Sequence, residues 1–479
     1  MRTGFWSGPS RWLPSNVARN GSAALALLVG AVVAAYLCAC WGAFQFDDYN
    51  IIVHNPAVQS FPAYLASMPG IRPILKLSYT FNWTSGLGLF GFHLFNLLSH
   101  AASAACVYFL CRKWIDSRGH GGEWARPIAL TAALLFALHP AQTEAVTYVS
   151  GRSVSLMSLF YLCALLAHVR GEERGASLWP DGLSPLLFVA ALLVKETAWT
   201  LPFALLLWDV GARRASWRER LRRLRAHWAV LGLAAAAMLA TPGYRRLLVG
   251  SLVTRTLKEN LLTQVGGQFY LLTQPLLLLQ VNIDPDLPVH TGLSLGLALK
   301  AAALLALVLA GCFQLRRRPW LGVGLLWTFL HLLPTNSILP RLDVANDRQL
   351  YLAMIGPAVI LAATIWSRLP RRGAAVSALV LALGLGTATL ERNADYRTEV
   401  ALWQATVRDS PNKARAWNNL GYAHQLAGDV AAARRAYRRA LELDPTHVKA
   451  RFNAASLPPP AETKESREPR AGSRPVDLR

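Results

Sequence analysis

The chain has 479 residues and a formal net charge of +22, with 53% hydrophobic and only 16% charged residues. Soluble domains carry about 25% charged residues, and here the apolar residues fall in long blocks, which excludes a string of two or three ordinary soluble domains. The basic residues sit in short runs between those blocks, as in cytoplasmic loops, and this argues against nucleic-acid binding.

Residues 1–20 are polar and basic, with Arg2, Arg11 and Arg19, which sets the N-terminus in the cytoplasm. The first span is predicted at 21–43. A helix needs roughly 20 apolar residues to cross a bilayer, because lipid satisfies no backbone polar group. A Pro- and aromatic-rich loop, 44–92, follows on the outer side, and its stretch Ile71–Tyr79 suits a helix lying along the interface. Further spans are predicted at 92–111, 128–139, 153–169, 184–194, 197–210 and 227–240. Arg213, Arg214, Arg218, Arg220, Arg222, Arg223 and Arg225 form the densest basic run and lie inside, against anionic headgroups or simply as a topology signal. Residues 261–280 are long enough to cross. However, Arg316–Arg318 and Arg368, Arg371 and Arg372 both fall inside only if the span at 293 starts outside. The block 261–280 is therefore expected to lie at the outer face or to re-enter. Spans at 293–313, 319–335, 349–366 and 374–390 bring the total to about eleven, with everything after 391 outside.

Residues 414–447 have the length and pattern of one tetratricopeptide unit, with Trp417, Leu420, Gly421, Ala433, Tyr437, Ala440 and Pro445 in register. Trp403 and Pro411 stand one period earlier than Tyr437 and Pro445. Such units bury their faces only against neighbours, so an array this short must dock, either on the membrane domain or on another subunit. It serves as an acceptor platform or as a structural cap. The domains expected are a cytoplasmic segment 1–20, a transmembrane domain 21–391, a repeat domain 392–456 and a disordered tail 457–479.

Ionisable residues beside apolar blocks are expensive and mark candidate sites. Asp47 and Asp48 follow the first span; one could act as a base or bind a metal, and the plain alternative is two solvated loop acids. His139, Glu144, Tyr148 and Arg152 follow the third span, where Glu144 could pair with Arg152 and His139 could be an ordinary cap. Lys195 and Glu196 could neutralise each other or hold an anionic headgroup. Arg348, after Asp347, suits a phosphate through its bidentate fork, with Arg72 and Arg341 as weaker candidates. His93, His100 and Asn96 sit at the start of a span, where they can satisfy one another. The six cysteines, in or at the end of apolar blocks, show neither metal-ligand spacing nor a disulfide framework. No P-loop, dinucleotide fingerprint, zinc-protease pair or nucleophile elbow occurs.

Several pieces together resemble the GT-C superfamily of membrane glycosyltransferases, and within it the transmembrane-and-tetratricopeptide-repeat O-mannosyltransferases and their bacterial relatives. They are Phe46-Asp47-Asp48, Arg72-Pro73, Gly91-Phe92-His93-Leu94-Phe95-Asn96, His139-Pro140-Ala141-Gln142-Thr143-Glu144-Ala145-Val146, Gly151-Arg152, Lys195-Glu196, Leu333-Pro334-Thr335-Asn336 and Asp347-Arg348-Gln349-Leu350-Tyr351-Leu352. The resemblance implies an all-α, GT-C-like multi-pass protein, with about eleven spans, in a bacterial inner membrane, its repeat domain extracytoplasmic. It implies transfer of a hexose such as mannose from a polyprenyl-phosphate donor to a protein Ser or Thr, with inversion. A lipid or polysaccharide acceptor is the alternative, and a non-catalytic scaffold holding a partner on the repeat is the alternative of another class. The catalytic acid falls on Asp47 or Asp48, with Asp47 favoured, and Glu144 assists. Arg348, Lys195, Arg72 and Arg152 are the expected phosphate ligands. His139, Glu196, His93 and Tyr148 are expected in support, and Asp48 with Glu144 as possible holders of a divalent cation. The partners implied are the lipid-linked donor, a protein or glycolipid acceptor, and the bilayer. The repeat arrays of that family are much longer than the one here.

Overall fold

A computed structural model describes residues 21–68, 70–117, 123–174, 182–212, 216–277 and 281–459. The basic segment 1–20, Arg213 and Arg214 of the Arg-rich run, and 460–479 of the expected tail lie outside the described residues. Among the described residues every regular element is a helix. In chain order they are α1 (Gly21–Tyr36), α2 (Phe61–Ala66), α3 (Pro73–Thr84), α4 (Gly88–Ser117), α5 (Ala125–Ala137), α6 (Thr143–Val146), α7 (Arg152–Arg174), α8 (Ser184–Val194) and α9 (Leu201–Ala212). There follow α10 (Trp217–Arg223), α11 (Arg225–Ala240), α12 (Pro242–Leu252), α13 (Leu257–Leu277), α14 (Leu295–Arg317), α15 (Pro319–Leu332), α16 (Leu350–Ala353), α17 (Ile355–Arg368) and α18 (Arg371–Asp395). Four more, α19 (Glu399–Asp409), α20 (Ala414–Leu426), α21 (Val430–Leu443) and α22 (Val448–Ala455), form the C-terminal helical piece.

Among the described residues, length and composition make five helical stretches able to cross a membrane: Ser22–Trp41, Gly88–Ser117, Val149–Gly171, Leu295–Arg317 and Arg371–Asp395. Two bent pairs raise this to seven, α11 with α12 (83°) and Asp347–Ala353 with α17 (55°). The apolar helices α5, α8 and α15 are shorter. Proline opens α3, α12 and α15, where its missing N–H costs nothing, and serine or threonine side chains cap α10, α14 and α19.

The long helices run alternately between two ends of the bundle. At one end Asn393 of α18 donates to the Ala35 carbonyl of α1 (2.8 Å), His100 of α4 meets the Ala137 carbonyl closing α5 (3.0 Å), and Lys195 after α8 reaches Ser153 of α7 (3.5 Å). At the other end Trp366 of α17 donates to Thr131 of α5 (2.9 Å), Ser184 of α8 donates to the Ala164 carbonyl of α7 (2.8 Å), and Arg371 pairs with Glu123. The basic turns after α14 and α17 lie at this second end. Helix α13, the ambiguous 261–280 block, sets Asn260, Gln264 and Gln268 against the 336–344 loop at the first end.

One apolar core runs through the bundle and includes Tyr36, Phe136, Tyr161 and Tyr351. A second, smaller core of Trp403, Val407, Ala416, Leu420, Ala423 and Ala436 holds the C-terminal piece together. A Cβ on Gly421 would come within 2.6 Å of the Tyr437 ring, so α20 and α21 pack this closely only with glycine there. The piece docks on the membrane domain. Phe46 packs edge-on against Trp403 (5.4 Å) and its N–H donates to Glu399 (2.9 Å), while Asn282 donates to Ser410 (2.7 Å).

Candidate active site

All the loops that carry candidate residues gather at the first end. The loop after α1 is bent sharply: Phe46 has φ 46°, and Arg72 has φ 53°. These are the two non-glycine residues with positive φ among the described residues, and such strain persists where the surroundings enforce it. Phe46 is held by Trp403 and Glu399, and Arg72 by Glu196 and Tyr244.

This bend separates the two aspartates. Asp48 is fully buried; its Oδ2 accepts from the Gln45 N–H (3.0 Å) and its Oδ1 from the Ser150 N–H (2.8 Å) and hydroxyl. Burial pushes its carboxyl up to about 7, although Ser150 and Gln45 donate to it. Asp47 is half-buried, and its own N–H donates to the Tyr148 hydroxyl (3.0 Å). Burial raises its carboxyl above the usual range, and the Arg348 charge only partly offsets this. Asp48 is thus spent on tying the loop to the 149–151 turn, and Asp47 keeps its carboxylate.

Glu144 lies on the short helix α6, nearly closed to solvent. Its Oε2 accepts from the Arg348 N–H (2.9 Å), and its Oε1 is 3.3 Å from Arg348 Nε. Burial raises this carboxyl despite Arg348. Gly151 backs directly onto it: a Cβ there would sit 2.1 Å from the Glu144 carbonyl oxygen. Arg348 Nη2 also lies 3.7 Å from Asp343 Oδ2.

Beside Arg348 is a hollow open to solvent, about 460 Å³ of atom-free space with its open mouth included. Lys195, Arg341 and Arg348 all line it, with the amides of Asn346 and Gln349 and the hydroxyls of Thr197, Thr200 and Thr335. Val154, Met157 and Leu352 supply apolar wall. Burial, followed by the charges of Arg72, Arg348 and Arg341, pushes the Lys195 ammonium well below its usual range. Arg341 is lowered too, by burial and then by Arg348. Cations that repel one another in a partly apolar hollow form a site complementary to an anion.

Several expectations change. Arg152 is fully buried: Nε donates to Asn96 (2.7 Å), Nη1 to the Ser78 carbonyl (3.0 Å) and Nη2 to the Phe92 carbonyl (2.9 Å), with its guanidinium over the Phe95 ring (4.4 Å). It pins α3, α4 and α7 together, and it is not among the residues that line the cavity. It does not pair with Glu144, which belongs to Arg348. Arg72 and Glu196 form a bidentate pair (3.0 and 2.5 Å), so Glu196 neutralises Arg72, and Lys195 stays in the cavity. His139 caps the turn at Pro140 by accepting the Ala141 N–H (3.2 Å). His93 is buried inside α4 beside Gly42. The possible cation pair is also not built: Asp48 turns to Ser150 and Gln45, and Glu144 to Arg348. Among the described residues no three His, Cys, Asp or Glu side chains gather at metal-binding spacing.

Asp284, Asp343 and Arg415 were missed from sequence. Arg415 Nε donates to Asp284 (2.7 Å) and Nη2 to Asp343 (2.6 Å). Their only signal was that Asp284 and Asp343 are acids in polar loops flanking α14 and α15.

A tetratricopeptide-repeat family model matches residues 414–447. The chain is 26% identical over 463 residues to the protein O-mannosyl-transferase F38B6.6 of Caenorhabditis elegans, aligning 88% of this chain with 63% of the relative. It is 25% identical over 488 residues to the protein O-mannosyl-transferase TMTC3 of Mus musculus, aligning 89% of this chain with 52% of that protein. Over 219 residues it is 36% identical to the protein O-mannosyl-transferase Tmtc2 of Drosophila melanogaster, covering 41% of this chain and 22% of the relative. The chain therefore spans between about half and two thirds of the length of the first two relatives. No solved structure matches it.

Proposed function

Since this chain is a homologue of the transmembrane-and-tetratricopeptide-repeat O-mannosyltransferases, we propose that it transfers mannose from a polyprenyl-phosphate carrier to Ser or Thr hydroxyls of proteins. The observation that carries this reading is the cavity of Lys195, Arg341 and Arg348, three cations around one hollow, with the Asp47 carboxylate close enough to feel the Arg348 charge.

In the reaction, Arg348, Arg341 and Lys195 hold the donor phosphate by charge-assisted hydrogen bonds. The same contacts strengthen as the sugar–oxygen bond breaks and charge builds on the leaving phosphate. Asp47 takes the proton of the attacking hydroxyl; its raised pKa makes it a better base than a solvated aspartate. Direct displacement from the opposite face inverts the anomeric carbon. Tyr148 and Asp48 fix the loop that aims Asp47, and Glu144 fixes Arg348.

The eleven-crossing topology fits this reading, because alternating helices leave every site loop at one end and the Arg-rich turns at the other. The basic end is cytoplasmic on this view, and the site and repeat are extracytoplasmic.

The test is reconstitution of the full chain in vesicles with polyprenyl-phosphate mannose and a Ser/Thr-rich peptide, read by mass spectrometry. A peptide gaining one hexose with the wild-type protein and none with Asp47→Asn supports the reading. Hexose appearing only on added glycolipid moves the acceptor class, and full transfer by Asp47→Asn removes the base assignment.

A further inference from the structure

Arg415 links the repeat segment to Asp343, which lies next to a cation of the anion site. Arg415, at the start of α20, binds Asp284 through Nε (2.7 Å) and Asp343 Oδ1 through Nη2 (2.6 Å). The other oxygen of Asp343 lies 3.7 Å from Arg348 Nη2. One carboxylate is thus shared between a cation of the repeat and a cation of the cavity. The contact to Arg415 is shorter by more than an ångström. Lys413, two residues earlier, also binds Asp284 (3.0 Å) and the Pro285 carbonyl (2.8 Å), so it docks the repeat without engaging Asp343.

This asymmetry has a consequence for charge. An arginine fork offers the same parallel donors to a carboxylate as to a phosphate. Asp343 is therefore a built-in competitor for the Arg348 donors. While Arg415 holds it, its approach to Arg348 stays loose. Without Arg415 it would close on Arg348 and compete with the phosphate.

We propose that Arg415 is a positioning residue for donor binding: by engaging Asp343 it keeps the Arg348 guanidinium available to the lipid phosphate. This rests on the phosphate reading of the cavity. It makes the Arg415–Asp343 contact of the repeat a condition of donor affinity, independent of any grip on the acceptor.

The test uses the full chain in lipid nanodiscs, with polyprenyl phosphate as the binding probe and donor KM and kcat measured in parallel. Arg415→Gln is expected to weaken polyprenyl phosphate about tenfold, the step that about 1.4 kcal/mol makes. Donor KM rises to match, and kcat changes little. Adding Asp343→Asn to that variant restores affinity, because the competitor is gone, and a merely structural dock would not be rescued this way. Lys413→Gln binds as the wild type does. Asp343→Asn alone binds more tightly, which keeps the idea testable if Arg415→Gln fails to fold. Equal binding by Arg415→Gln, a loss not rescued by Asp343→Asn, or weaker binding by Asp343→Asn alone overturns the proposal. A wild-type protein that does not bind polyprenyl phosphate overturns the phosphate reading itself, and this proposal with it.

Discussion

Replacing Arg152 by methionine separates a structural arginine from a phosphate-binding one. Methionine keeps an apolar stem against Phe95 and removes every donor. The Asn96 side-chain oxygen and the Ser78 and Phe92 carbonyls then lose the charged donor that each now has at 2.7 to 3.0 Å. The Asn96 oxygen is left unsatisfied, which costs about 1–3 kcal/mol, while the Ser78 and Phe92 carbonyls keep their helix hydrogen bonds and each lose a bond to a charged donor, so the sum is several kcal/mol even with local relaxation. That is a large share of a typical stability of about 5–15 kcal/mol. The melting temperature of the purified protein in detergent should fall by on the order of 10 °C. Donor KM, measured below the transition, should stay near the wild-type value. A variant that melts like the wild type but needs much more donor would refute this reasoning and return Arg152 to the phosphate site.

Other consequences follow from the same geometry. Lys195→Met relieves a buried, mutually repelling cation, so it should raise the melting temperature while raising donor KM about ten- to a hundredfold, the loss of one charge-assisted hydrogen bond; lower stability with unchanged KM would contradict it. On the proposed mechanism Asp47 can take a proton only when ionised, so kcat/KM should fall as the pH drops through its pKa. Burial raises that pKa, so the acid limb should lie above the 3.8 of an ordinary aspartate; a pH–rate profile with no limb above that value would remove Asp47 as the base. Gly421→Ala drives a methyl group into the Tyr437 ring, costing about 1–3 kcal/mol. Limited proteolysis should then cut the repeat faster, and unchanged resistance would show that α20 and α21 separate easily.

The sequence alone determined the class of molecule. Apolar blocks too long and too numerous for soluble domains, basic runs between them and a 34-residue period at 414–447 are chemical patterns along the chain. They need no folded context, because bilayer thickness and helix rise set the length of an apolar block, and one helix–turn–helix unit sets the 34-residue period. The sequence also pointed to Asp47, Glu144, Lys195 and Arg348, since an ionisable group beside an apolar block is costly wherever it packs. What it did not determine was which charge pairs with which. Glu144 and Arg152 are eight residues apart, yet Glu144 pairs with Arg348, 204 positions away, and Arg152 turns inward to Asn96. Asp47 and Asp48 are adjacent, but the bend at Phe46, held by Trp403 of the repeat, buries one and leaves the other half-exposed. Pairing energies fall off over a few ångströms, so only the tertiary packing decides which charges come that close. That is why the link from Arg415 through Asp343 to Arg348 left no trace in any local pattern.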